Sequence, residues 1–228
     1  MNETVTTASD EEVIKMMEYN KEVEKYDIVF SPPSLESELE RKRKRRFFIF
    51  GEDNTYQVPH TIGPSRTMGY LSRPGYYCSA VAFSCNFALS AMQCIGGNIQ
   101  DHIFYYNRNC YPYTNTGSRF GIKGVTYFGD IAVLQFNGTS SYYLGYGYYN
   151  TVTTIGITSH GYDQSCLKEI GCTASGYGSN YYQHYCDTPG GFLGGPIVES
   201  SVYIRGINWG TTSSPNRNVA VCILRSEL

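Results

Sequence analysis

Several things are scarce in this chain, and each scarcity excludes something. No apolar run approaches the roughly 18 residues that a membrane-spanning helix needs, so no helical span is expected anywhere in it. Neither sign of charge is in excess: 18 basic residues stand against 20 acidic ones, a net charge of −2. A balanced chain lacks the basic footprint that nucleic acid or an anionic membrane surface requires. There is no Cys-x-x-Cys pair and no Cys/His spacing of the zinc-finger kind, so no metal and no cofactor is expected. Helical periodicity is rare. Residues 1–46 contain no Cys and no Gly at all. Residues 1–25 are polar and charged, without the apolar centre of a secretory leader. Either a leader lies outside this sequence, or the chain begins inside the cell.

What is abundant points elsewhere. The chain carries 22 Tyr, 24 Gly and 8 Cys in 228 residues. Tyr with Gly, Val and Thr favours strands and turns over helices. This many cysteines without metal spacing read as disulfides and an oxidising compartment. At least two bridges are expected, with pairings that these spacings alone leave open. Two N-x-[ST] sequons begin at Asn2 and Asn137.

Composition breaks at Arg46. Residues 1–46 hold 11 of the 20 acidic and 9 of the 18 basic residues, and they end in RKRKRR, 41–46. Val13, Met16, Met17 and Val23 follow a helical pattern, which SPPS at 31–34 ends. The basic tract admits two readings: a solvated or nuclear-import tract, or a site for a furin-type processing protease. The cysteines favour the second, with 1–46 as a pro-segment-like extension cleaved after Arg46. Residues 47–228 form the expected domain. CSAVAFS, TYFGDIAVLQF, TVTTIGITS, GGPIVES and YIRGINWG read as strands, which indicates an all-β barrel or sandwich.

Within that body, CDTPGGFLGGPIVES (186–200) has the composition of an active-site loop. Paired Gly residues let backbone N–H groups turn toward a developing charge. Yet its centre, Leu193, carries no chemistry. No G-x-S-x-G elbow exists elsewhere. His60, His102, His160 and His184 are expected at the surface or at strand ends. Cys186 and His184, two apart, are too close along the chain to be a nucleophile–base pair, and a disulfide role for Cys186 is simpler.

Three runs occur in a telling order: CSAVAFSCNFALSAMQC (78–94), GDIAVLQF (129–136), and GGFLGGPIV (190–198) followed by YIRGINWG (203–210). They resemble the chymotrypsin-like serine proteases, whose TAAHC, DIAL and GDSGGP motifs carry the catalytic His, Asp and Ser. GEDNTYQV (51–58), TVTTIGITSHGYDQ (151–164), DTPGGFLGGPIV (187–198) and GINWG (206–210) are similar to motifs of the glutamyl-endopeptidase (V8-like) branch. The resemblance covers 47–228 and implies a chymotrypsin-like double six-stranded β-barrel behind a polar N-terminal extension.

Carried over residue by residue, the resemblance implies a degenerate triad. SAMQC puts Gln93 at the His position, GDIAV keeps the Asp as Asp130, and the Gly loop puts Leu193 at the Ser position. An amide is no base near neutral pH, and a leucine has no lone pair to attack with. Gly191 and the Leu193 N–H match the oxyanion-hole donors. Thr188 matches a wall of the specificity pocket. Asn208 stands where glutamyl endopeptidases place a His for the substrate carboxylate. Phe192 replaces a polar residue and is expected to fill or distort the pocket. Asp130 is left as a buried acceptor, with the Gln93 amide as its expected donor. The resemblance also implies a Cys78–Cys94 bridge. Cys172 and Cys186 flank a Tyr/Gly/Ser hairpin that they are placed to bridge, whereas Cys85, Cys110, Cys166 and Cys222 stay unassigned.

The expected function is therefore that of a secreted pseudoprotease that binds a protein or peptide partner through the inherited cleft or its Tyr-rich surface. Two alternatives stay open: an active endopeptidase with a nucleophile elsewhere, and a disulfide-stapled structural protein of the extracellular space.

Overall fold

A computed structural model describes residues 49, 52–59, 63–106, 117–146, 154–163, 166–177, 180–213 and 216–223. The 1–46 extension with Arg46, the sequon at Asn2, His60 and Cys110 lie outside the described residues.

Among the described residues fourteen strands follow one another, and no α-helix interrupts them. The first barrel uses β2 (Met68–Arg73), β3 (Tyr76–Ala82), β4 (Phe87–Ala91), β5 (Ile103–Tyr106), β6 (Ser118–Phe128) and β7 (Ile131–Phe136). It closes in the order β2-β3-β4-β7-β6-β5. The second uses β9 (Ile155–Asp163), β10 (Cys166–Tyr177), β11 (Tyr181–His184), β12 (Pro196–Glu199), β13 (Tyr203–Ser213) and β14 (Asn216–Cys222). These run β10-β11-β14-β13-β12-β9, and β9 pairs back onto β10 to close the ring. Two short strands are added at its rim. β1 (Tyr56–Gln57) pairs with β10, and β8 (Gly145–Tyr146) lies parallel to β13.

Local chemistry sets the corners. Pro74-Gly75 joins β2 to β3, with Arg73 opposite Tyr76 and Gly75 at φ +74°. Pro presets the first turn position, and Gly supplies the left-handed second one. TYFGDIAVLQF is two strands rather than one: Gly129 at φ +54° starts a two-residue turn that sets Phe128 opposite Ile131. Asp130 thereby lies at the mouth of β7, whose residues are almost all buried.

The two barrels share one apolar cluster, which runs from Met68, Leu71 and Phe104 to Leu167, Leu193, Ile204 and Ile207. A smaller cluster, with Ile155, Ile157, Ile197 and Cys186, belongs to the second barrel. Cys78–Cys94 is bridged with Cα atoms 5.9 Å apart. Cys172–Cys186 is bridged across the β10–β11 hairpin with Cα atoms 5.4 Å apart. Cys166 is also disulfide-bonded, while Cys85 and Cys222 are free thiols. Of the described histidines, His184 ends β11 and His102 immediately precedes β5, whereas His160 lies inside β9; all three are buried and none is at the surface.

Candidate functional site at the barrel seam

The three residues expected at a catalytic centre reach the seam between the barrels on three different elements. Gln93 is carried by a short 3-10 turn, Met92–Cys94, that ends β4. The Cys94 bridge to Cys78 anchors that turn to β3. The Met92 N–H donates to the Asp130 carbonyl at 2.8 Å, so the turn and the β6–β7 corner are tied directly. Asp130 and Gln93 are therefore neighbours through backbone.

Their side chains turn to other partners. Gln93 Nε2 donates to the backbone carbonyl of Trp209 on β13, bridging the two barrels. Asp130 Oδ2 accepts from the Tyr181 hydroxyl at 2.6 Å. That bond, with partial burial, pushes Tyr181 up to about 12, so the phenol is a firmly protonated donor. The expected Gln93 donor to Asp130 thus gives way to Tyr181, which β11 supplies from the opposite barrel. The Tyr181 ring also lies 5.8 Å from that of Trp209.

The Gly loop is folded inward. Gly190–Phe192 forms a 3-10 turn, in which the Phe192 N–H donates to the Pro189 carbonyl at 2.8 Å and the Leu193 N–H to the Gly190 carbonyl at 3.4 Å. The N–H expected to be the second oxyanion donor is thus directed into its own turn. Ser79 of β3 ties the loop to both barrels. Its Oγ donates to the Gly191 carbonyl at 2.6 Å and accepts from the Tyr162 N–H at 2.7 Å, and its own N–H donates to the Leu193 carbonyl at 2.8 Å.

Close packing explains the Gly residues. A Cβ on Gly191 would lie 1.8 Å from the Tyr162 carbonyl oxygen. One on Gly194, at φ +79°, would meet Ser79 O at 2.4 Å. Leu193 is only 7% exposed and joins the shared apolar cluster, so its side chain is core. Phe192 is fully buried and packs on Gly161, where a Cβ would approach its ring at 2.6 Å. The ring sits beneath the loop as a packing element.

Thr188 and Asn208, expected to line a specificity pocket, are both fully buried. Asn208 Nδ2 donates to Ser159 Oγ at 2.9 Å. Thr188 Oγ1 and Asn208 Oδ1 have no hydrogen-bond partner. Asp187 is also buried and accepts from the N–H and the Nδ2 of Asn54, at 3.1 and 3.2 Å. The residues just before β1 are therefore tied to the start of the Gly loop.

A shallow groove of ≈ 180 Å³ opens beside the seam, lined by Tyr177, Tyr181, Trp209, Thr211, Thr212 and Val219. Sequence reasoning missed Tyr181 and Ser79 as site residues. Tyr181 is one Tyr among many, and Ser79 sits unmarked in an ordinary strand. Only the closure of both barrels brings them to the loop.

The sequence matches no protein-family model and no curated protein. Its fold does match solved structures. A Glu endopeptidase in complex with MPD superposes with a TM-score of 0.66 at 16% identity, covering 78% of this chain and 94% of that one. The VesB protease of Vibrio cholerae superposes with a TM-score of 0.60 at 15% identity, covering 75% of this chain and 64% of that one. The architecture is the chymotrypsin-like double barrel.

Proposed function

We propose that this chain is a catalytically inactive serine-protease homologue that binds a protein or peptide partner instead of cleaving it. One observation supports the reading: the residues expected at the triad positions are committed to other bonds. At the position expected for a base stands Gln93, a neutral amide donating to Trp209 O. At the nucleophile position stands Leu193, packed in the core with its N–H turned back to Gly190. The remaining acid, Asp130, is held by the Tyr181 phenol. An oxyanion hole works only when its donors already point at the site. Here one of the two expected donors is directed elsewhere.

Binding is supported by the groove beside Trp209 and by the exposed Tyr177 and Tyr185, since tyrosine gives large contact area at low entropy cost. The same reading takes 1–46 as a segment removed after Arg46 on a secretory route, in keeping with the polybasic tract and the disulfides.

A fluorophosphonate probe tests the reading. The intact protein is expected to remain unlabelled under conditions that label an active serine protease. Stoichiometric labelling of any Ser would overturn it and point to an active hydrolase with its nucleophile elsewhere. Restoring Gln93→His and Leu193→Ser together is expected to leave the protein inert while Tyr181 holds Asp130. Adding Tyr181→Phe releases that carboxylate, so the triple variant is where labelling first returns.

A further inference from the structure

A second cluster, away from the seam, is unexplained by the cleft. Cys172 on β10, His184 at the end of β11 and Cys186 just beyond it each direct a ligand-type atom to one point, and the three atoms lie within 4.8 Å of one another. His184 is 1% exposed, and neither ring nitrogen meets a hydrogen-bond partner. Its imidazole lies beside two sulfurs in a buried place. The Asn208 side chain faces the imidazole and interacts with it.

We infer that Cys172, His184 and Cys186 form a redox-gated site for Zn2+: closed as a disulfide in the oxidised protein, and a two-thiolate, one-imidazole metal site once the bridge is reduced. Zinc–sulfur bonds of about 2.3 Å in a tetrahedral site put two sulfurs roughly 3.8 Å apart, so the bridged sulfurs must separate on reduction, while the His184 nitrogen already lies within 4.8 Å of both. Charge fits as well. Two thiolates and a neutral imidazole around Zn2+ sum to zero, which suits the apolar shell of Ile155, Ile157 and Ile197 that packs with Cys186. Asn208 would orient the ring from behind, as outer-shell carbonyls do for metal-bound histidines.

Entry runs through Cys172, which is half-buried while Cys186 is buried. An external thiolate attacks Cys172 Sγ, the Sγ–Sγ bond breaks, and Cys186 leaves as a thiolate. A second external thiolate then attacks the mixed disulfide, releasing the Cys172 thiolate and an oxidised external disulfide. The metal binds both thiolates and the imidazole, so relative to two thiols it displaces two protons. The reductant is of the glutathione class. The site uses no residue of the proposed triad and stands whether or not the cleft is catalytic.

Cobalt as a spectroscopic stand-in for zinc tests this in the full chain. After anaerobic phosphine reduction and removal of the reductant, one Co2+ per chain is expected, with sulfur-to-cobalt charge transfer and tetrahedral d–d bands that Zn2+ abolishes. The oxidised protein is expected to show neither. His184→Ala should weaken the affinity about tenfold or more, and Cys172→Ser with Cys186→Ser should remove the bands. Unchanged binding in either variant would assign the metal to other thiols and overturn the site. Should a variant fail to fold, zinc-edge absorption on the reduced wild type decides. Two sulfurs and one imidazole support the assignment; four sulfurs, an oxygen-only shell or no bound zinc refutes it.

Discussion

The two barrels share a topology and differ in what they bury. The first is filled by Met68, Leu71, Phe87, Phe104, Leu134 and Phe136, and its buried polar residues are small hydroxyls plus His102. Its rings pack on one another, with Phe104 5.2 Å from Phe136 and Phe120 stacked at 5.0 Å on the same ring. The second buries His160, His184, Asp187, Thr188, Arg205, Asn208 and Asn218. Apolar packing stabilises without conditions, whereas a buried polar group helps only while its partner is present. The first barrel therefore acts as scaffold. The second holds the groups whose state can change.

Breaking the scaffold should give the largest effect. Phe104→Ala removes a fully buried ring and is expected to cost about 3–5 kcal/mol, read as a lowered urea midpoint with an unchanged slope. A loss below about 1 kcal/mol, the cost of a typical surface change or less, would end the contrast between the barrels.

The two staples sharpen the comparison next. Cys78–Cys94 and Cys172–Cys186 close loops of similar separation, 16 and 14 residues. Loop entropy alone predicts about 3 kcal/mol for each. Replacing each pair by Ala and comparing melting temperatures asks whether they are equal. Any excess in the second barrel measures the polar groups around Cys186.

Ser79→Ala should cost less, about 1–3 kcal/mol, because it strands the Gly191 carbonyl and the Tyr162 N–H in a buried place. Amide hydrogen exchange should rise across 190–195 and stay level in the first barrel's far strands. Uniform loosening would contradict the pinning role of Ser79.

The smallest effect concerns acid. Glu169 is held below its usual value by the His160 hydrogen bond first and by Tyr56 as well, with burial opposing. A carboxylate whose folded pKa is depressed adds stability above its unfolded value, about 4.3 for Glu, and loses it as pH falls through the lower folded value. Glu169→Gln is expected to lower stability modestly at pH 7 and to flatten its loss below about pH 4, where the two proteins converge. An acid limb as steep as wild type would refute the pairing.

Much of this molecule was legible in the sequence. CSAVAFS and GDIAVLQF read as β-rich strands, whereas the Gly pairs around Phe192-Leu193 read as an active-site loop and only the structure shows the loop folded inward. The Cys172–Cys186 bridge followed from a hairpin with a Cys on each side. Other parts were not legible. The histidines were expected at the surface or at strand ends, and the described ones are all buried. The Cys172, His184 and Cys186 cluster has no zinc-like spacing, because its members meet across a strand pair. Nothing marked Tyr181 among its many neighbours of the same type.

Residue order alone determined the strand pattern and put Leu193, a side chain without a lone pair in any fold, at the centre of the Gly loop. Tertiary closure decided which groups meet around that loop. It brought the Gln93 amide to Trp209 O, the Tyr181 phenol to Asp130, and Ser79 to the underside of the loop. Those bonds join residues distant in sequence, and a hydrogen bond has a partner only once both barrels have closed around it.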